Sequence, residues 1–166
     1  MVTWLDMGTD APRVALIDAT CDGLDEAALR TRARDLGAAV GADAVSRSYC
    51  HPYALVGCHT DQVGIDIERF VACDERFARS ICTPAEVART DSAGDRDVVS
   101  LWSGKEALAK ALGDAVDYDP RRLESPVGWP DGVCGAWRTA ALPVPDGYCG
   151  WVCWRAIKRT PSPNRA

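Results

Sequence analysis

The chain has 166 residues, of which 47% are hydrophobic and 26% are charged, and its net charge at pH 7 is −5. This composition is typical of one globular domain, or of two small halves that share a core. An acidic chain is poorly suited to general nucleic-acid binding, which requires a basic surface. Any anionic ligand must therefore be met by local positive charge.

No apolar run reaches the roughly 18 residues that a membrane span requires, and the N-terminus lacks the features of a secretory signal. We therefore expect a cytoplasmic protein that does not bind membranes. The eight cysteines are then expected to be reduced and to fill small apolar sites. The repeat Cys50-His51 and Cys58-His59 leaves a metal cluster as an alternative, although its spacing matches no usual zinc pattern.

The first part of the chain contains few strong signals. Residues 1–12 are expected to be irregular, and Arg13–Asp18 predicts a short buried strand. Asp25–Leu36 predicts a helix in which acids precede arginines, as the helix dipole favours, with Gly37 as its stop.

The middle of the chain is dominated by the stretch Val63–Glu68. In a strand, Asp66 and Glu68 share one face, whereas Ile65 and Ile67 share the other and can enter a core. The roots of the two acids would lie about 7 Å apart, so their oxygens can converge on one hard cation such as Mg²⁺. The alternative is an edge strand with a solvated acidic face.

Several further elements are predicted around this strand. Tyr53–Cys58 should be a strand that forms a hairpin with it, and Asp74–Ile81 should be a helix. Thr83-Pro84-Ala85-Glu86 is a capping box, which explains Glu86 without a catalytic role. A long helix is expected from about Asp95 to Leu112, with Gly113 as its stop.

The last third of the chain is expected to be rich in strands. The candidates are Arg121–Glu124, Val133–Ala140 and Tyr148–Arg155, and the last two are joined by the turn Pro143–Gly147. Thr160–Ala166 is polar and rich in proline and is expected to be frayed.

The long helix places Trp102, Glu106 and Lys110 on one stripe, at positions i, i+4 and i+8. A tryptophan on the same stripe indicates that the two charges face a cleft. The alternative is an ordinary Glu–Lys surface pair that contributes a few tenths of a kcal/mol.

Taken in order, Gly64-Ile65-Asp66-Ile67-Glu68 and Trp102-Ser103-Gly104-Lys105-Glu106-Ala107 with Lys110 resemble the two signature motifs of the 4′-phosphopantetheinyl transferases. Trp102 and the chain length resemble the surfactin-synthetase type more than the short holo-carrier-protein synthase type. The resemblance covers residues 53–113, extends to about 157, and is poor over 1–45.

The resemblance implies an α+β fold of two related α/β halves, of which the first is abbreviated. The implied boundaries are 1–62 for the shortened N-terminal half, 63–158 for the half with both motifs, and 159–166 for a flexible tail.

The activity implied by the resemblance is transfer of the phosphopantetheine arm of coenzyme A to a serine of an acyl or peptidyl carrier protein. Such transfers serve polyketide or nonribosomal peptide biosynthesis. The matching family residues imply that Asp66, Glu68 and Glu106 hold Mg²⁺ and that Glu106 is also the base. Lys110 would contact phosphate, and Lys105 is a second phosphate candidate.

The sequence departs from the family at the coenzyme pocket. Ser48-Tyr49-Cys50 stands where the family has a Ser-His-Ser or Ser-His-Thr element, so Tyr49 replaces a histidine that contacts a coenzyme phosphate. His51 has the same strand parity and is a candidate substitute. A basic N-terminal segment is also missing, which leaves as candidate phosphate ligands Arg30, Arg32, Arg34 and Arg47.

These departures leave two other hypotheses open. One is an inactive or repurposed protein of the same fold that binds a carrier protein or a coenzyme A-like ligand, and the other is an unrelated Mg²⁺-dependent phosphate-ester enzyme. Arg69, Arg76 and Arg79 are candidate contacts for an acidic carrier, with solvated helix residues as the alternative. The oligomeric state stays open, since a shortened front half can leave apolar surface uncovered.

Overall fold

A computed structural model describes residues 1–90 and 94–157 of the chain. Within these residues, eight strands form two antiparallel sheets of four strands each. The first sheet has the order β1-β2-β4-β3 and comprises β1 (Val2–Leu5), β2 (Arg13–Asp18), β3 (Ala44–Cys50) and β4 (Tyr53–His59). The second has the order β5-β8-β7-β6 and comprises β5 (Val63–Arg69), β6 (Val133–Cys134), β7 (Trp137–Ala141) and β8 (Tyr148–Arg155).

Four α-helices connect the strands in the described part of the chain. They are α1 (Glu26–Val40), α2 (Glu75–Ile81), α3 (Pro84–Thr90) and α4 (Asp95–Leu112). Three short 3-10 helices follow α4, at Pro120–Arg122, Pro126–Gly128 and Pro130–Gly132. No helix among the described residues is both long enough and apolar enough to cross a membrane.

The first sheet buries one face against α1. Ile17 and Val56 from the strands pack there with Leu29 and Ala33 from the helix, and all four side chains are fully buried. These helical positions are four residues apart and therefore lie on one face of α1. This apolar stripe fixes the helix on the sheet.

The second core lies between the two sheets. Val14 and Leu55 from the first sheet pack with Ile65, Ile67 and Val152 from the second. Ile65 and Ile67 are 0% and 1% exposed, and the burial of each contributes about 1.5–3 kcal/mol. The alternation predicted for the Val63–Glu68 stretch is confirmed, because the isoleucines face this core.

Two expectations for the N-terminal residues are wrong. Val2–Leu5 forms a strand that pairs with β2, so residues 1–12 are not irregular throughout. The helix does not stop at Gly37 but continues to Val40, and Gly41 adopts a left-handed conformation with φ of 65° as its cap. A Cβ atom on Gly37 would lie 2.8 Å from the Val45 side chain, so this glycine permits close packing.

The predicted hairpin between Tyr53–Cys58 and Val63–Glu68 is also wrong. β4 pairs with β2 and β3, whereas β5 pairs with β8. The chain between β4 and β5 crosses from one sheet to the other, because β4 already has a neighbour on each side. The short connection therefore stacks the two strands in different layers.

The helices around the second sheet match their predictions closely. α2 begins after Asp74, whose carboxylate accepts a hydrogen bond from the backbone N–H of Phe77. α4 has the predicted bounds, and Gly113 ends it with φ of 86°. The capping box at α3 is formed, because Glu86 accepts a hydrogen bond from the Thr83 backbone N–H.

The last third agrees with the predictions only in part. Pro120–Arg122 is a 3-10 helix rather than the start of a strand, since proline at its first position suits a helical turn. The predicted strand 133–140 is divided into β6 and β7 by Gly135, which has φ of 57°. The turn Pro143–Gly147 does join β7 and β8. The prediction for Thr160–Ala166 lies outside the described residues.

All eight cysteines are free thiols. Four of them fill buried positions, as expected for reduced cysteines, namely Cys58, Cys82, Cys149 and Cys153. Cys21 and Cys134 are exposed instead.

Candidate functional site

The site begins where α4 crosses β5 at backbone contact distance. A Cβ atom on Gly64 would lie 3.0 Å from the carbonyl carbon of Lys110 and closer still to the backbone of Ala107 and Ala111. Only glycine leaves room for this crossing. It brings the acids of β5 next to the charged stripe of α4.

Asp66 is the most buried carboxylate of the site, with 3% of its surface exposed. Its Oδ1 atom accepts hydrogen bonds from the Ser48 hydroxyl at 2.8 Å and from the Lys110 ammonium at 2.7 Å. Its Oδ2 atom is buried and has no hydrogen-bond partner among the described residues. One oxygen of Asp66 is therefore fixed by the protein, and the other is left without a donor.

Side chains of β3 connect the first sheet to β5. The backbone N–H of Ile65 donates to Ser46 Oγ at 3.1 Å, and that of Ile67 donates to Ser48 Oγ at 3.3 Å. Both serines are buried and stand two residues apart, so they point to the same face of β3. The contacts of Ser46 and Ser48 with β5 form a serine seam, which holds Ser48 beside Asp66.

Lys110 lies at the end of the same seam. Besides Asp66, its ammonium contacts the carbonyl oxygen of Ile65 at 3.3 Å and the hydroxyl of Ser48 at 3.4 Å. Its side chain is 23% exposed, so it is held in place while part of it remains open to a ligand. A fixed, partly exposed ammonium suits an anionic oxygen.

Glu68 lies on the same face of β5 as Asp66, as predicted, and is half-buried. Burial raises the pKa of Glu68 to about 7, and repulsion from the Asp66 carboxylate adds to the increase. A hydrogen bond from Trp102 opposes it. Trp102 of α4 therefore faces the acids, in agreement with the predicted stripe.

Glu106 is held by a residue that the sequence analysis did not identify. The Tyr118 hydroxyl donates a hydrogen bond of 2.5 Å to Glu106 Oε1. Burial raises the pKa of Glu106, the Tyr118 hydrogen bond opposes the increase, and the Asp66 carboxylate adds to it. Tyr118 lies in the irregular segment after α4, and no sequence pattern marked it.

The three predicted metal ligands are Asp66, Glu68 and Glu106. The Asp66 charge raises the pKa values of both glutamates, but the three carboxylates are not arranged as a complete ligand set. Among residues 1–90 and 94–157, no three His, Cys, Asp or Glu side chains are placed to hold a metal ion. The site nevertheless suits a divalent cation in two respects. Asp66 has an unpartnered buried oxygen, and the pKa values of Glu68 and Glu106 are raised partly by the Asp66 charge. A cation would give the Asp66 oxygen a partner and would offset the repulsion among the carboxylates. An all-oxygen ligand set is the one that Mg²⁺ prefers.

A basic groove adjoins the acids. It has a volume of about 480 Å³ and is lined in part by Arg34, Arg47, Tyr49 and Lys110. The Arg47 guanidinium makes no hydrogen bond or ion pair within the described ranges, and Arg34 donates only to the Thr31 hydroxyl. The groove therefore offers positive charge next to Tyr49, which itself supplies none.

Tyr49 lines the groove and also packs against the core beneath α1. Its ring packs against the first core, and the Arg30 guanidinium stacks on it at 4.6 Å from the ring centre. Ser48 and Tyr49 point to opposite sides of β3, as neighbouring strand residues do. Ser48 therefore reaches the acids, whereas Tyr49 faces α1 and the groove.

Two other predicted ligands lie away from the groove. His51 is an exposed turn residue after β3, and its Nε2 atom lies 3.1 Å from the Leu24 carbonyl oxygen. Lys105 is fully buried and donates to the Ile81 carbonyl, the Glu86 carboxylate and the Pro120 carbonyl. Because Lys105 is fully buried, its ammonium has no exposed side for a ligand, and a phosphate contact does not fit its position.

The alternative metal cluster of the two Cys-His pairs is likewise not formed among the described residues. His51 faces Leu24, and His59 Nδ1 accepts the backbone N–H of Asp61.

The mixed α/β architecture, with two antiparallel sheets and several helices, fits a phosphopantetheinyl transferase-like fold. In agreement, residues 62–129 match the family model described as the 4′-phosphopantetheinyl transferase superfamily. The match covers less than half of the chain but includes β5, α4 and Tyr118. A search of the curated proteins found no match. Transferases of this superfamily use coenzyme A and act on carrier proteins in general, so phosphopantetheine transfer is the activity that the match indicates.

Proposed function

We propose that this protein transfers the 4′-phosphopantetheine arm of coenzyme A to a serine of an acyl or peptidyl carrier protein in a Mg²⁺-dependent reaction. The observation that carries the proposal is the contact of Lys110 with the buried Asp66 beside a basic groove, with Glu68 and Glu106 near enough for the Asp66 charge to raise their pKa values. Phosphoryl transfer requires positioned groups that neutralise phosphate charge and a base for the nucleophile, and this arrangement offers both.

Asp66, Glu68 and Glu106 are the residues that would hold Mg²⁺. The unpartnered Oδ2 atom of Asp66 supports this assignment, as do the raised pKa values of the two glutamates. When bound, Mg²⁺ would neutralise charge on the diphosphate of coenzyme A.

Lys110 and the two groove arginines would bind the coenzyme phosphates. Lys110 is already fixed by Asp66 and Ser48, so it can contact phosphate without losing further freedom. Arg47 has no competing acceptor within the described ranges, and it lies beside Tyr49. We propose that Arg34 and Arg47 supply the charge that the histidine of the family motif would otherwise bring.

Glu106 would act as the base. Its raised pKa makes the carboxylate a better proton acceptor, and the Tyr118 hydrogen bond fixes one of its oxygens. The carrier serine oxygen would form a bond to the phosphorus that bears the pantetheine arm. The bond from that phosphorus to 3′,5′-ADP would break, and the serine proton would pass to Glu106.

The carrier protein is proposed to dock beside α2. The Arg69 guanidinium is held by the Tyr148 hydroxyl, and Arg79 pairs with Glu75. Arg76 is exposed and belongs to the same helix. Val71 and Phe77 add exposed apolar surface, at 56% and 37%, and the Phe77 ring packs edge-on against Trp102, with 6.2 Å between centroids. An acidic partner that contacts this surface would lie next to the acids.

We further propose that the two sheets represent two related halves, residues 1–62 and 63–158, with the first half shortened relative to the surfactin-synthetase type. The presence of four antiparallel strands in each sheet supports this relation.

The test is intact-mass spectrometry of an apo acyl carrier protein and an apo peptidyl carrier protein after incubation with this protein, coenzyme A and Mg²⁺. The wild type should add the mass of one phosphopantetheine arm, and a chelator should abolish the addition. Glu106→Ala and Asp66→Ala should add nothing. Arg122→Ala is the matched control, since it removes an exposed arginine outside the groove and should behave as the wild type.

The groove is tested by the same assay at varied coenzyme A concentration. Arg47→Ala should raise the KM for coenzyme A by about tenfold or more, since a hydrogen bond to a charged group contributes roughly 1.5–3 kcal/mol. Arg76→Glu should instead raise the KM for the carrier. No mass gain with any carrier would contradict the transferase, and carrier binding without transfer would favour a repurposed binding protein.

A further inference from the structure

The structure contains a buried ion pair that the proposed chemistry does not use. The Lys105 ammonium lies 2.5 Å from Glu86 Oε2, and the two side chains are 0% and 2% exposed. Replacing a buried ion pair by apolar side chains is often neutral or stabilising, so stability alone is a weak reason for such a pair. Its directional hydrogen bonds indicate a geometric role.

The pair holds the chain segment that follows Tyr118. Lys105 donates to the Pro120 carbonyl at 2.7 Å, and Glu86 Oε1 accepts the backbone N–H of Ser125 at 2.6 Å. The Ser125 hydroxyl in turn donates to the carbonyl of Leu101 in α4. Both ends of the segment from residue 120 to 125 are therefore tied to α4 through this pair.

The segment is fixed next to the proposed base. Pro120 is two residues beyond Tyr118, whose hydroxyl donates to Glu106, and Glu106 directly follows Lys105 in α4. Lys105 faces the segment, whereas Glu106 faces the acids. Lys105 thus anchors the backbone near Tyr118, and the Tyr118 hydroxyl donates to Glu106, the residue next to Lys105 in α4.

A contact surface made of apolar side chains would not fix the segment in this way. Apolar packing is not directional, whereas a carboxylate that accepts two backbone N–H groups and an ammonium sets the position of each donor. The backbone position of Pro120 is set by the same ammonium.

We propose that Lys105 and Glu86 are positioning residues that set the orientation of the Glu106 carboxylate through the backbone at Pro120 and the hydroxyl of Tyr118. This inference rests on the proposed function, in which Glu106 is the base. It assigns Lys105 a role in positioning and none in phosphate binding.

The first variant to test is Tyr118→Phe, which removes one hydroxyl. The kcat should fall about tenfold, since small displacements of a reacting group cost up to about a hundredfold. The KM for coenzyme A should stay within about twofold. Arg121→Met is the control, because it removes an exposed ion pair with Asp119 from the same segment and should leave both constants unchanged.

The second variant is the double substitution Glu86→Leu with Lys105→Met, which removes both charges and leaves neither unpaired. Backbone amides of residues 121–125 should exchange hydrogen faster than in the wild type, as measured by mass spectrometry. The kcat should fall to a similar extent as in Tyr118→Phe. Adding Tyr118→Phe to the double variant should lower it little further, because both changes act on one element.

The outcomes separate the positioning role from the proposed function. Unchanged hydrogen exchange at residues 121–125 in the double variant would overturn the positioning role. A kcat of the triple variant reduced by the product of the two separate losses would overturn it as well. If the wild type transfers nothing to any carrier, the proposed function fails, and the exchange result alone then decides whether the pair holds the segment.

Discussion

Gly64→Ala should separate α4 from β5 and thereby disable the candidate site. A Cβ atom at this position would lie 3.0 Å from the carbonyl carbon of Lys110, where ordinary contact begins at 3.4 Å. Its two nearer neighbours are the carbonyl oxygen of Ala107 and the amide nitrogen of Ala111. Both are backbone atoms, so no side-chain rotation can relieve the clash.

The helix must therefore move by about 1 Å or more, at a cost of about 1–3 kcal/mol for an overpacked contact. For a chain of this length, each kcal/mol lowers Tm by about 2–4 °C. The same movement lengthens the 2.7 Å contact between Lys110 and Asp66 and withdraws Glu106. A displacement of this size should lower transfer activity by about a hundredfold.

The assay is thermal unfolding together with the carrier mass assay. Gly57→Ala is the matched control, because Gly57 is also a buried strand glycine but its Cβ would meet only ordinary contacts of 3.4–3.6 Å with the Ile65 and Val63 side chains. If Gly64→Ala unfolded at the same temperature as Gly57→Ala and retained wild-type activity, the close crossing would not be what assembles the site.

Two further changes probe the buried polar groups. Ser48→Ala should lower the free energy of unfolding, measured in urea, by about 1.5–3 kcal/mol, since it removes a hydrogen bond to a buried carboxylate and leaves the N–H of Ile67 without an acceptor. The control Ser80→Ala removes an exposed hydroxyl and should change the free energy by less than about 0.5 kcal/mol. Burial raises the pKa of Glu86, but hydrogen bonds from Lys105 and two backbone N–H groups outweigh it, so the pKa lies below the ordinary 4.5. The stabilisation by Glu86 is therefore complete above pH 4.5 and is lost as the pH falls through the lower folded-state pKa. In Glu86→Gln, the free energy of unfolding should therefore decline less steeply below pH 4.5. An equally steep acid decline in Glu86→Gln would show that other groups cause it.

The parts of the site that lie within single elements could be predicted from the sequence. The alternation of β5 placed Asp66 and Glu68 on one face, and the period of α4 placed Trp102, Glu106 and Lys110 on one stripe. Both patterns depend on neighbours a few residues apart, which the sequence displays directly.

The pairing of the strands could not be predicted in the same way. The turn chemistry at residues 59–62 favoured a hairpin, but the chain changes sheets there because β4 is already paired on both sides. Such pairing is decided by residues distant in sequence, among them β8 for β5.

Two residues show why side-chain roles were harder to predict than positions. Lys105 follows a signature pattern that suggested phosphate, yet its environment is made by Ile81, Glu86 and Pro120, none of which lies within the same helix. Tyr118 stands in an irregular segment with no periodicity, so its approach to Glu106 is visible only in three dimensions.

The serine seam between β3 and β5 also affects how the protein associates with itself. An unpaired sheet edge exposes N–H and C=O groups that can recruit a strand from another molecule. Here the Ser46 and Ser48 hydroxyls accept hydrogen bonds from outward N–H groups of β5, and the Lys110 ammonium donates to the Ile65 carbonyl. The first sheet therefore closes the β5 edge of the second sheet, and β6, with two residues, offers little of the remaining edge of the second sheet. Among the described strands, β1 and β3 remain as the edges of the first sheet, where aggregation by strand addition can begin.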